Sequence, residues 1–131
     1  MLYDLAIDMG SHPGQLALLG EAVERAGIKV RGAGLFFLDG RGSAHFLFDD
    51  GHAAAAVIAA AGVQVDRVRE VLVLPIPAHA TAELGRLRAA LDEAGVVVEV
   101  IYSDNEQRLV LVADDLDTAR RVLIPWSTDP V

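Results

Sequence analysis

Gly10-Ser11-His12-Pro13-Gly14-Gln15-Leu16 joins an alternating segment to an amphipathic one, and its reading decides the fold. Upstream, Leu2, Asp4, Ala6 and Asp8 alternate with Tyr3, Leu5, Ile7 and Met9, the pattern of a half-buried strand. Pro13 suits the first turn of a helix, where its missing N–H costs nothing, with Ser11 or His12 near the cap. Downstream, Leu16, Leu19, Val23 and Ala26 recur at helical spacing across Gln15 to Ala26. Gly27 then closes the helix as a left-handed cap residue. Ile28 to Leu38 reads as a strand, Asp39-Gly40-Arg41-Gly42 as a tight hairpin turn, and Ser43 to Phe48 as the returning strand. Asp49-Asp50 caps a helix over Gly51 to Ala61 that ends at Gly62, and Val63-Gln64-Val65 begins a fourth strand. The order is βαββαβ.

The same order is then written again. Arg69 to Pro75 reads as a strand, Ala80 to Ala94 as a helix stopped by Gly95, and Val96 to Tyr102 as a strand. Ser103 to Glu106 is a turn, Gln107 to Val112 its returning strand, and Asp114-Asp115 opens a helix to about Leu123. The tail from Pro125 looks irregular, and its Trp126 is expected to pack. Helix one and its echo match at an offset of 68, while Phe48-Asp49-Asp50 and Ala113-Asp114-Asp115 match at 65; a shorter second hairpin would absorb the difference. A final strand of the second copy is not evident.

Composition narrows the function. The chain has 131 residues, 53% of them hydrophobic and 23% charged, which is globular and slightly rich in apolar residues for its size, a hint of oligomerisation. A net charge of −8 with no Lys/Arg run repels a phosphate backbone, so nucleic acid is a poor partner. The absence of cysteine excludes disulfides, thiolate nucleophiles and Cys-bound metals. No signal peptide or membrane span is read, so a cytoplasmic protein is the expectation.

Catalytic signatures do not assemble. His12, His45, His52 and His79 show no zinc-ligand spacing. His45 and His52 read as surface or interface residues and His79 as part of a cap region, while His12 stands in the elbow. Asp49-Asp50 and Asp114-Asp115 repeat at helix starts, which favours capping over acid–base or metal chemistry. Asp4 and Asp8 share a strand face, open to solvent or turned toward a partner. No serine has a base and an orienting acid at hand, and the elbow lacks the Gly-Lys-Ser/Thr ending of a phosphate loop. No metal or cofactor is called for.

A βαββαβ unit whose first strand runs into x-Pro-Gly-x-Leu, with a helix ending in Ala-Gly, resembles the ACT domain. The residues that carry it are Ser11-His12-Pro13-Gly14-Gln15-Leu16, Ala26-Gly27-Ile28 and the Asp39-Gly40 hairpin, and it covers nearly the whole chain as two copies. It implies an α+β, ferredoxin-like sandwich duplicated in tandem: residues 1–68 as a first ACT-like domain and 69–131 as a second, degenerate one. It further implies a small stand-alone regulatory protein, a homodimer, that binds a free amino acid at an ACT–ACT interface beside the elbow. The implied ligand-binding residues are Gly10, Ser11, His12, Pro13, Gly14, Gln15 and Leu16, with Gly32 and Gly34 brought opposite from an adjoining unit. Ser11 stands where the family often has Asp or Asn, and Ala80-Thr81-Ala82 stands where the first copy has His12-Pro13-Gly14.

The residues make a physical case of their own. A helix N-terminus offers unpaired N–H groups and a positive dipole end, which suits a carboxylate. A glycine there admits a ligand or a neighbouring backbone. Two other readings stay open: a ligand-free pairing module, and a small ferredoxin-like enzyme with an acid–base pair at a subunit interface.

Overall fold

The computed structural model describes residues 1–12, 14–76 and 80–127. Pro13 and His79 lie outside them, as does the tail beyond Ser127. The chain divides into two compact units, Met1–Arg69 and Glu70–Val131.

The first unit runs β1 (Tyr3–Gly10), α1 (Gln15–Arg25), β2 (Gly32–Leu38), β3 (Arg41–Phe48), α2 (Gly51–Ala60) and β4 (Val65–Glu70). Its sheet has the order β2-β3-β1-β4, and β3 is antiparallel to both β1 and β2. Leu5, Ile7 and Met9 of β1 and Ala44, Phe46 and Phe48 of β3 meet Leu19, Val23, Ala54 and Ile58 from the two helices in one core. The period of two in the strands thus meets the 3.6 period of the helices across one sheet face. A two-residue turn joins β2 to β3, with Asp39 at φ 51° and Gly40 at φ 77°, the left-handed pair that matches strand twist.

The second unit runs β5 (Leu72–Leu74), α3 (Thr81–Glu93), β6 (Val98–Ser103), β7 (Leu109–Ala113) and α4 (Leu116–Val122), closing with a 3₁₀ turn over Ile124–Trp126. Its sheet order, β5-β7-β6, reproduces β1-β3-β2. Among the described residues it has no counterpart of β4. Trp126 packs on this core, and its indole Nε1 donates to Glu83 Oε2 at 2.8 Å.

The duplication is visible position by position. Leu19 and Val23 and their echoes 68 residues on, Leu87 and Leu91, are all core residues. So are Ala44, Phe46, Phe48, Ala54 and Ile58 and their echoes 65 on, Leu109, Leu111, Ala113, Ala119 and Leu123. Asp50 caps α2 through Ala53 N at 3.0 Å, and Asp115 caps α4 through Thr118 N at 3.1 Å. Gly27 and Gly95 both take left-handed φ, 69° and 76°.

Several sequence expectations are corrected. The second hairpin connection is longer than the first: residues 104–108 against Asp39-Gly40, so the shortening falls in the strands. Asp104 organises that loop, its buried carboxylate accepting from the backbone of Glu106 and Arg108 and pairing with the Arg108 guanidinium at 2.8 Å. The single strand read over 69–75 is two: β4 continues to Glu70 in the first sheet, and only Leu72–Leu74 belongs to the second. The charge-rich β4 lies at a sheet edge, where polar side chains are tolerated, and the apolar run after it conceals the break. β2 begins at Gly32 rather than Ile28. His45 is buried rather than at the surface, and Asp4 is buried outright, because their side chains pair with each other.

Candidate functional site

The elbow takes its shape from a break in the β1–β3 ladder. Register holds from Tyr3 opposite Phe48 to Asp8 opposite Ser43, then shifts so that Gly10 faces Gly42. Gly10 has φ 57°, and its N–H donates to Asp8 Oδ1 at 2.8 Å. The chain then passes Ser11 and His12, both exposed, and enters α1. Gly14 is the N-cap residue, not Ser11 or His12; it lies at φ −79°, and a Cβ there would meet nothing within 4 Å.

This helix start differs from its counterparts. No described side chain caps α1, and its first turn holds no acidic residue. α2 and α4 are capped by Asp50 and Asp115, and α3 carries Glu83 in its first turn. Among the described residues, no carboxylate caps the dipole end of α1 or stands in its first turn.

Two hollows flank the elbow and share the wall Met9 to His12. One, of about 410 Å³, is completed by Leu16, Leu35, Phe37 and Gly40. The other, of about 280 Å³, is completed by Asp8, Gln15, Arg41, Gly62 and Gln64. In the second, an Arg41 guanidinium nitrogen stands 3.5 Å from Asp8 Oδ2. Gln15 lines this hollow, and its Oε1 atom is buried with no hydrogen-bond partner among the described residues.

The structure therefore gathers Gly10, Ser11, His12, Gln15 and Leu16 around these hollows. Pro13 lies outside the described residues. Gly14 stands at the helix start but lines neither hollow. Gly32 and Gly34 line neither of them; they lie on β2 opposite Leu47 and His45. Sequence reasoning missed Asp8, Met9, Leu35, Phe37, Arg41 and Gln64. The signal for Leu35, Phe37 and Arg41 was the hairpin. Pairing β1 with β3 brings the Asp39-Gly40 turn and its flanking residues back beside Gly10. Among the described residues, no group of three or more His, Asp or Glu side chains could hold a metal ion.

The fold has known counterparts. A protein from Bacteroides thetaiotaomicron superposes with a TM-score of 0.72 at 19% identity, over 92% of this chain and 85% of that one. The regulatory subunit of aspartate kinase from Thermus thermophilus, in its ligand-free form, gives 0.65 at 17% identity over 97% and 91%. That from Thermus flavus gives 0.68 at 17% identity over 93% and 90%. No family model matches the chain, and no curated protein matches it in sequence. The class that the fold defines is α+β and ferredoxin-like, a βαββαβ unit followed by a second that is βαββα among the described residues, and the regulatory subunits of aspartate kinase share this fold.

Proposed function

We propose that this protein is a non-catalytic regulatory module, two ACT-like domains in tandem, that binds a free amino acid at the elbow of its first unit. The observation that carries the reading is the convergence of two hollows on Gly10, Ser11 and His12 beside an uncapped helix start. The carboxylate of the ligand sits at the N-terminal end of α1 near Gln15, where unpaired N–H groups and the dipole favour an anion. Ser11 and His12 supply polar contacts. Both hollows are partly open, and an adjoining unit bringing Gly32 and Gly34 opposite would close them in a homodimer. The likeness of fold to the regulatory subunits of aspartate kinase supports a regulatory role. No described helix is long and apolar enough to cross a membrane.

Calorimetry against the twenty amino acids tests this directly. Binding of at least one at or below millimolar concentration is the expected result, and silence across all twenty would sink the reading.

One observation favours a second reading, a pairing module that uses no ligand. β2 is an edge strand, and its Leu35, Phe36, Phe37 and Leu38 are 36 to 77% exposed. An apolar edge of this kind is a template for pairing with another chain. Sedimentation with and without amino acids separates the two, because a pure scaffold does not respond.

A further inference from the structure

Resting on the amino-acid reading above, we infer that the elbow selects amino acids with apolar side chains, holding the zwitterionic head in one hollow and the side chain in the other. The two hollows differ in chemistry. The larger one is completed by Leu16, Leu35 and Phe37 against Met9, and no Asp, Glu, Lys or Arg lines it. Leu16, Leu35 and Phe37 are 43, 36 and 72% exposed, so three large apolar side chains converge on a cleft instead of entering the core. Convergence of that kind around a concavity marks a binding surface.

The smaller hollow offers what an amino-acid head needs. Arg41, which lines this hollow with Gln15, adds a cation for the carboxylate held at the start of α1. Asp8 brings a carboxylate for the ammonium, and the Gln15 Oε1 atom is a buried acceptor without a donor. A buried acceptor left unpaired costs stability until a donor reaches it, and an ammonium carries three N–H groups to give. Opposite charges 3.5 Å apart, together with a free acceptor, are the mirror of a zwitterion. Because Met9 to His12 line both hollows, one small molecule that crosses this wall reaches both. A lysine, aspartate or threonine would place its charge or hydroxyl among Leu16, Leu35 and Phe37, which cannot pair it and leave Ser11 and His12 of the shared wall as the polar side chains within this lining.

The test is calorimetry on the full chain with leucine, methionine, phenylalanine, threonine, lysine and aspartate, and with 4-methylpentanoic acid, which has leucine's tail without its ammonium. The expected result is binding of the apolar amino acids at least about tenfold tighter than of the polar ones, in keeping with the transfer of one aliphatic side chain out of water. Leucine should also bind at least about tenfold tighter than 4-methylpentanoic acid. Phe37→Ser, at an exposed position that leaves the core intact, should weaken leucine binding while circular dichroism stays unchanged. Tighter binding of threonine, lysine or aspartate would overturn the apolar selection and leave the amino-acid reading standing. Equal binding of leucine and 4-methylpentanoic acid would overturn the assignment of the polar hollow. Binding of no amino acid at all would fail both readings together.

Discussion

His45 Nδ1 stands 2.9 Å from Asp4 Oδ2, and the carboxylate of Asp4 is fully buried. The two residues are diagonal neighbours on adjacent strands, since Asp4 faces Leu47 and His45 faces Ala6. A buried carboxylate tolerates its loss of water only while hydrogen-bonding partners surround it. His45→Ala removes one of those partners. It is expected to cost about 3 kcal/mol by leaving a buried charge under-compensated. Asp4→Asn, which removes the charge and keeps an acceptor, should cost less. Urea unfolding of both variants, read by circular dichroism, gives the ranking, and the reverse order would refute it.

Gly51, at the start of α2, admits no side chain. A Cβ there would lie 2.5 Å from Tyr3 Cβ and 3.0 Å from Val68 Cγ1. Gly51→Ala must therefore push β1 and α2 apart, at a cost of about 1–3 kcal/mol. At Gly14 the same substitution meets open space at an ordinary helical φ. Thermal melts should show a clear loss for Gly51→Ala and almost none for Gly14→Ala.

Gly14→Ala also probes the proposed site. Its stability should stay within about 0.5 kcal/mol of the parent, because reduced chain entropy when unfolded offsets a weaker N-cap preference. On the reading that the ligand carboxylate sits on the first turn of α1, its affinity for an amino acid should fall, although Gly14 lines neither hollow. Calorimetry beside a melting curve decides it: unchanged affinity would remove Gly14 from the site.

Acid should loosen the second unit in a particular way. Hydrogen bonds from Arg86, and then from Trp126, hold the Glu83 carboxyl below its usual range. The side chain and backbone of Thr118 do the same for Asp115. A carboxyl depressed in the folded state contributes stability that is fully present above its unfolded pKa and is lost as pH falls through the folded value. Trp126 is the single tryptophan, so its fluorescence reports on this unit. Glu83→Gln should melt earlier than the parent at pH 7, and the gap should close as pH falls toward about 2. A gap that persists in acid would mean that charge on Glu83 is irrelevant.

The sequence was legible where two signals agreed. The helix echo at 68 and the Asp-Asp echo at 65 rest on core periodicity plus capping, and both survive as matched core positions. It was less legible where one pattern hid another. Val71 to Leu74 is apolar throughout, so nothing local marks that β4 ends at Glu70 and a new sheet begins at Leu72. Asp4 and His45 carry ordinary polar letters, and only the pairing of β1 with β3 shows that each is the other's partner. At the elbow, residues 10–12, 15 and 16 were visible because glycine and proline punctuate the chain. Leu35, Phe37 and Arg41 were not, because they reach the elbow through sheet register, which is a long-range property.

The uncapped start of α1 has a kinetic consequence. A first turn without a side-chain acceptor is weakly fastened, so it frays without the rest of the unit opening. The amides of Leu16 and Ala17 should exchange with deuterium sooner than those of Ala53, which donates to Asp50, or Thr118, which donates to Asp115. Any molecule that settles on that turn must slow the exchange, which turns a local looseness into a built-in gauge of occupancy.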